Sequence, residues 1–306
     1  MNSTQQHLLL LFFSANVAAA TFPLPSPQDA LIGHMQYATV HEEDTLLSIG
    51  RKYGIGYQQV IAANPNVDVW LPTVGLRVVI PSVYLLPNAP RYGIVINLAE
   101  QRLYFYPKPA AGQPPTVETF PISVGKAQWG TPLGKTRVIE KQMHPTWYPT
   151  ESVRKEHADR GETLPKAVLP GPNNPLGDYA LRLDIAGGAY LIHGTNKPIA
   201  IGMAVTHGCI RMLPEDIALL FEEVAVGTQV TLINQPYTMG WLGQQLYVQR
   251  HEVDQQRTKT VAHNLMALTS LYVTATQHRS VKMDWHDAEQ QFTKASAIPV
   301  QIRLLQ

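Results

Sequence analysis

The chain has 306 residues, 24 Lys and Arg against 23 Asp and Glu, and one cysteine, Cys209, a length that makes room for two or three units at ~100–200 residues per domain. A formal charge of +1 excludes the basic footprint of nucleic-acid binding, and a hydrophobic share of 45% excludes a disordered chain. One cysteine excludes an intramolecular disulfide framework and a four-cysteine zinc or iron–sulfur site, so the thiol needs another explanation.

Leu8-Leu9-Leu10-Leu11-Phe12-Phe13 followed by Ala18-Ala19-Ala20 reads as the apolar core and cleavage site of a secretory signal over residues 1–20, although no Lys or Arg precedes it. The run is shorter than the ~20 residues of a membrane span, and no later stretch approaches that length, so the mature chain is expected to carry no span. Export would place the cysteine in an oxidising compartment, where a lone thiol implies a chemical use or deep burial.

Residues 21–35 are Pro-rich and without periodicity and read as a linker. A compact unit follows over 36–82. Tyr37 to Val40 alternate as a strand; Asp44 and Thr45 offer an N-cap before Leu46, Leu47, Ile49 and Tyr53 at helical spacing. Gly54 stops that helix, a second covers Gln58 to Ala63, and Leu76 to Pro81 closes as a strand. This β-α-α-β stretch resembles a LysM module at Asp44-Thr45-Leu46, Ile49, Tyr53, Asn64-Pro65, Gly75 and Val79-Ile80-Pro81, with Glu43 where the family usually has Gly. The resemblance implies binding of N-acetylglucosamine-containing glycan strands such as those of peptidoglycan.

Pro87 to Pro90 mark a boundary. Strand-like runs at Gly93–Leu98, Arg102–Tyr106, Thr119–Val124 and Thr136–Glu140, separated by Gly and Pro, predict a β-sandwich or barrel. The fold class expected is therefore α+β, mainly β: a small βααβ module, a β-sandwich-like domain over 91–235 and a small C-terminal extension over 237–306. Residues 142–178, rich in Pro, Trp, Tyr and Asn, read as a long irregular insertion serving as a lid or binding loop. Leu213-Pro214-Glu215-Asp216 opens a helix whose apolar face is Ile217, Leu220, Phe221 and Val224; Gly227 ends it, and Thr228 to Ile233 return as a strand. In the extension a strand at Leu246–Val248, helices at Val261–Leu271 and His286–Ala295 and a strand at Pro299–Leu304 are expected, with no chemistry assigned.

The chemistry gathers in His193-Gly194-Thr195, Ile201-Gly202 and Thr206-His207-Gly208-Cys209-Ile210-Arg211. A thiol becomes a useful nucleophile when an imidazole accepts its proton. His207 lies two residues from Cys209 and His193 sixteen residues before it, and spacing alone does not choose between them. Gly208 lets the backbone bend so that its own N–H and that of Cys209 aim at one point, as an oxyanion hole requires. Gly194 leaves its carbonyl uncovered to orient an imidazole. The competing readings are a structural cysteine and a zinc site built from His193, His207 and Cys209.

The window resembles the signature of the L,D-transpeptidases with a YkuD-type catalytic domain, in their Gram-negative periplasmic branch, which often carries a LysM module in front. The likeness extends over roughly 91–235 and includes Thr131-Pro132-Leu133-Gly134, Pro145-Thr146-Trp147 and Gly171 to Gly177. It implies Cys209 as nucleophile and His193 as proton acceptor and donor, oriented by the Gly194 carbonyl. Gly208, Gly194 and His207 then shape the oxyanion hole, and Arg211, Thr206 and Trp147 bind substrate. The reaction implied is attack on the third-residue carbonyl of a peptidoglycan tetrapeptide stem, release of D-Ala, and transfer to an amine (a 3→3 cross-link or an outer-membrane lipoprotein) or to water. No metal and no cofactor is implied, and the location implied is the periplasm. The alternative is a non-catalytic peptidoglycan-binding scaffold.

Overall fold

The computed structural model describes residues 20–126, 129–187, 190–251, 265–293 and 297–305. The signal expected over 1–20 lies, but for Ala20, outside the described residues. In chain order the elements begin with β1 (Ala20–Pro23), β2 (Leu31–Gly33), β3 (Gln36–Thr39), α1 (Leu46–Lys52), α2 (Tyr57–Ala63), β4 (Arg77–Ile80) and β5 (Val83–Leu85). Next come β6 (Gly93–Asn97), β7 (Arg102–Tyr106), β8 (Thr116–Gly125), β9 (Gly134–Met143), α3 (Glu151–Ala158), β10 (Tyr179–Leu183), β11 (Leu191–His193), β12 (Ala204–Thr206), β13 (Ile210–Met212), α4 (Pro214–Glu223) and β14 (Gln229–Ile233). The C-terminal elements are β15 (Tyr237–Leu242), β16 (Gln245–Arg250), α5 (Leu265–Thr276), β17 (Lys282–Met283), α6 (Trp285–Thr293), β18 (Val300–Ile302) and β19 (Leu304–Leu305).

The central sheet closes on itself. Its order β8-β13-β11-β10-β9-β14-β6-β7 is completed by a β7–β8 pairing. The two longest strands make the corners. β8 pairs with β1 and β7 through residues 116–121 and with β13 through 122–123, while β9 pairs with β14 through 134–137 and with β10 through 138–143. Strands that pass from one layer to the other in this way turn a sandwich into a flattened barrel. The expected sandwich-like domain is thus one continuous sheet. Its interior is filled by Ile94, Ile96, Leu103, Phe120, Ile122, Leu181, Ile192, Ile210 and Met212, and α4 adds Ile217 and Leu220. That face carries no chemistry. Because strand residues alternate between faces, the partners of these core positions must point the other way.

Over 36–82 the chain runs β3, α1, α2 and β4, with β3 antiparallel to β4. Thr45 caps α1 and exchanges hydrogen bonds with Ser48 in a capping box. Glu43 adopts φ +67°, so the turn for which Gly would be the easy choice is kept. The segment is not a bead on a string. Its core of Leu46, Ile49, Val60, Val78 and Ile80 is continuous with Val95, Tyr104, Tyr106 and Val117 of β6, β7 and β8. Fully buried Arg102 on β7 donates to the Gly54 carbonyl (3.0 Å), Gln59 Oε1 (2.7 Å) and Thr119 Oγ1 (3.2 Å), and its guanidinium lies 4.2 Å from the Tyr84 ring centroid. At the start of α2, Tyr57 N–H donates to the Ile201 carbonyl (3.0 Å) and Gln58 N–H to that of Gly202 (3.3 Å). Gly202, at φ +89°, is the residue that fits there, since an added Cβ would stand 2.1 Å from Tyr57 N. Arg51 on α1 pairs with Glu215 on α4 at 3.0 Å.

Residues 21–35 are a structured strap, and the linker reading is corrected. β1 pairs with β8, and β2 pairs with β5. Ala30 N–H donates to the Trp241 carbonyl (2.8 Å), and Asp29 accepts from Gly243 N–H (2.8 Å). Strands of four and three residues are too short for a readable alternation. The C-terminal extension packs beside this strap as the β15-β16-β18 sheet with α5 and α6, over a core of Tyr237, Trp241, Leu246, Val248, Phe292 and Ile302. Its predicted elements recur as β16, α5, α6 and β18, with residues 261–264 of the first predicted helix and 294–295 of the second outside the described residues. β15 carried no sequence signal. No helix among the described residues is long and apolar enough to cross a membrane.

Candidate active site

The site grows out of the parallel pairing of β11 and β13, in which Ile192 faces Ile210 and His193 faces Arg211. Ile192 and Ile210 belong to the barrel core. His193 and Arg211, one step on, therefore project to the opposite face, and Cys209 lies directly before β13, near enough to Arg211 to feel its charge. The long sequence gap between His193 and Cys209 is closed by strand register. The Cys209 thiol also meets the Leu191 backbone, the ladder neighbour this register gives it.

His193 is buried, with 4% of its surface exposed. Its Nδ1 lies 2.7 Å from the Gly194 carbonyl, which can only accept, so Nδ1 carries the hydrogen. Burial and the nearby Arg211 charge push its pKa down to about 3, against the opposing pull of the Gly194 and Leu176 carbonyls. Cys209 is half-buried, and burial raises its thiol pKa, with the Leu191 backbone and Arg211 opposing. The resting pair is thus a neutral imidazole and a neutral thiol. Arg211 is itself buried enough for its pKa to fall, and its Nε, shielded from solvent, has no hydrogen-bond partner among the described residues.

The turn bearing Cys209 is pinned from several sides. Gly208 adopts φ +101°, and an added Cβ there would stand 3.1 Å from the Tyr190 ring. Gly125 is needed beside it, because a Cβ at that position would meet Gly208 N and Cα at 2.8 Å. Thr206 Oγ1 donates to the Cys209 carbonyl (2.6 Å), Thr131 Oγ1 to the Gly208 carbonyl (2.9 Å), and Lys126 N–H to the Thr206 carbonyl (2.9 Å). Thr131 stood in the sequence only as part of a matching string; its role appears here.

His207 points elsewhere. Its Nε2 bonds the Glu156 carboxylate on α3, and its ring lies 5.3 Å from that of Trp129. Glu156 also accepts from Lys126 Nζ (2.9 Å), and this bond, with the one from His207, holds its pKa down to about 2 against burial. Among the described residues no group of three His, Cys, Asp or Glu is placed to hold a metal ion. The 142–178 segment, expected to be irregular, contains α3, whose N-cap Thr150 accepts from Val153 N–H. The helix has only Val153 buried, so it lacked an apolar stripe to betray it. Trp147 lies in the same segment, bridged to Val168, and Asn174, fully buried, donates to the Pro145 carbonyl (2.7 Å). The 171–177 loop reaches the site at Gly177, where an added Cβ would stand 2.9 Å from Thr195 N and 3.2 Å from Gly194 Cα.

A thiol, a neutral imidazole with one nitrogen held by a carbonyl, a glycine turn and an arginine are the parts of a covalent acyl-transfer enzyme. Comparison with known proteins narrows the class. Residues 91–232 match the YkuD model, the L,D-transpeptidase catalytic domain. The chain is 38% identical over 303 residues to the "Probable L,D-transpeptidase ErfK/SrfK" of Escherichia coli K12, covering 96% of this chain and 94% of that protein. It is 42% identical to the E. coli "Probable L,D-transpeptidase YcfS" over 75% of this chain and 73% of that one, and 42% identical to "Probable L,D-transpeptidase YbiS" over 73% and 72%. The chain belongs to the L,D-transpeptidase family.

Proposed function

We propose that this protein is a peptidoglycan L,D-transpeptidase in which Cys209 is the nucleophile and His193 its general base and acid. The observation that supports the reading is the β11–β13 register, which pairs His193 with Arg211 away from the core, with Cys209 directly before β13 and its thiol against the Leu191 backbone and near the Arg211 charge. With Nδ1–H engaged by Gly194, the other ring nitrogen is the basic one. It takes the Cys209 proton as sulfur attacks the carbonyl carbon of the third residue of a tetrapeptide stem. The Gly208 and Cys209 N–H groups, on a turn fixed at φ +101°, hold the oxyanion. Collapse breaks the C–N bond, and His193 returns the proton to the departing D-Ala amine. An acceptor amine then loses its proton to His193 as its nitrogen forms the new amide bond. The C–S bond breaks, and the thiolate is reprotonated.

Arg211, with an uncommitted Nε beside the thiol, suits a stem-peptide carboxylate through paired N–H donors. Thr206 serves the turn through the Cys209 carbonyl, and His207 shapes it from outside. Trp147 is assigned to the donor groove with the 142–178 segment. The βααβ segment over 36–82 is read as a LysM module holding glycan strands, the 91–235 region as the catalytic domain and 237–306 as an extension packed on the strap, on β5 and against Glu100 of the 91–235 region. The periplasm is the compartment that fits, and a lipoprotein amine is one acceptor.

The test is intact-mass analysis after incubation with a carbapenem, together with D-Ala release from tetrapeptide muropeptides. Wild type should gain one adduct and Cys209→Ala none, with the mutant's melting temperature unchanged. A wild type without adduct or D-Ala release, but still retained on sacculi, would instead establish a binding scaffold.

A further inference from the structure

The turn that carries Cys209 has its carbonyls fixed by Thr131, Thr206 and Lys126. The side of the turn bearing His207 is held differently. The His207 ring packs against Trp129 and bonds Glu156, which belongs to α3 and not to the barrel. Glu156 takes two hydrogen bonds from two places, His207 on the turn through Oε2 and Lys126 just after β8 through Oε1 (2.9 Å), and pairs in charge with Arg160 one turn further along its own segment (3.6 Å). One carboxylate thus joins the nucleophile turn, the strand beneath it and the 142–178 segment. Charge-assisted bonds of this kind are roughly twice as strong as neutral ones, and two oxygens serving different donors fix a carboxylate in both position and rotation.

Resting on the assignment of Cys209 as nucleophile, we propose that Glu156 is a positioning residue for the reaction. Acting through His207, it sets the pose of the 206–209 turn and couples that pose to the seating of α3 over the site. It touches neither substrate nor sulfur. Gly208 has no side chain of its own to hold the turn, so the pose of Cys209 rests on tethers to the neighbouring groups. Thr131 and Thr206 hold the carbonyls, and the bond on His207, the residue before Gly208, holds the remaining side. Because its other end is α3, a segment that shifts on substrate entry would move the turn with it.

The experiment measures Cys209 acylation by a carbapenem in the full chain, separated into the maximal rate constant and the half-saturating concentration, for wild type, Glu156→Ala, Glu156→Gln and Lys126→Met. Hydrogen exchange of the 206–209 amides is followed in parallel. Glu156→Ala should lower the rate constant by roughly 10- to 100-fold, the scale of a misplaced reacting group. Its half-saturating concentration should change by less than about threefold. Its 206–209 amides should exchange faster. Glu156→Gln, which keeps an oxygen for His207, should recover part of the rate, and Lys126→Met, which leaves the His207 bond, should lose less than Glu156→Ala. Should Glu156→Ala fail to fold, Glu156→Gln against Lys126→Met carries the comparison. A wild-type rate constant in Glu156→Ala, a loss confined to half-saturation, or a Gln variant no better than Ala would overturn the proposal. If wild type takes no adduct at Cys209, the nucleophile assignment fails instead, and unchanged 206–209 exchange in Glu156→Ala would separately refute the tether.

Discussion

Arg102→Met tests whether the βααβ segment and the barrel are one body. The substitution keeps an apolar stem of similar length in a fully buried site and removes the three bonds to Gly54, Gln59 and Thr119 and the stacking on Tyr84. Leaving the buried Gln59 oxygen and the Gly54 carbonyl without donors costs ~1–3 kcal/mol each, and the lost cation–π contact adds up to ~2 kcal/mol. Removing a buried cation whose Nε has no hydrogen-bond partner among the described residues offsets part of this, so a net loss of about 3 kcal/mol is expected. At ~2.1 cal/mol/K per residue, a chain of this length unfolds with an entropy near ~0.6 kcal/mol/K, so the melting temperature should fall by roughly 5 °C. Hydrogen exchange should show α1 and α2 losing protection while β10 and β11 keep theirs. A melting temperature within about 1 °C of wild type, or unaltered protection in α1 and α2, would refute the claim that Arg102 fastens the two parts.

The acylation rate should be flat between about pH 5 and 8, because His193, with its pKa near 3, stays basic throughout; a fall with an apparent pKa near 6.5 on acidification would contradict a neutral resting pair. The same shift withdraws stability as pH drops from about 6.5 toward 3, since the unfolded chain takes up this proton before the folded one does, and melting curves across that window should show it. Gly208→Ala should cost about 100-fold or more in acylation while the chain still folds, because φ +101° and the Tyr190 ring together resist a Cβ; a near-normal rate would show that the turn does not build the oxyanion hole.

Much of this was legible in the sequence where one physical signal dominated. The two short helices of the 36–82 segment are marked in the sequence by a cap at Thr45, helical spacing and an Asn64-Pro65 stop, and in the structure Thr45 caps α1 and α2 ends at Asn64. The strands of the barrel are visible because Gly and Pro punctuate them, yet their closure is not. Closure depends on β8 and β9 each serving two layers, a matter of bending and register that alternation alone does not encode. The residues of the site were legible as a motif, but the choice between His193 and His207 came from family resemblance. Register and the Glu156 bond give it an independent physical basis. Glu156 itself left no trace, being an acidic residue on a polar helix with an ordinary i,i+4 partner in Arg160, while the partners that matter to the turn are 30 and 51 residues away.

The packing of the βααβ segment changes what a polymer-binding module would do here. A module on a flexible linker raises the local concentration of substrate and leaves the catalytic site to find its own register. Here Gly56 and Tyr57, at the start of α2, rest on Ile201 and Gly202, which precede the nucleophile turn by only a few residues and close on it through β12. Arg51 reaches the first turn of α4, directly after β13. On the proposed reading, a glycan held by residues 36–82 would present its stem peptides at a fixed distance from Cys209. The module would then contribute through alignment as well as retention. The close contact at Gly202 ties the two parts backbone to backbone beside the turn that has to accept the peptide.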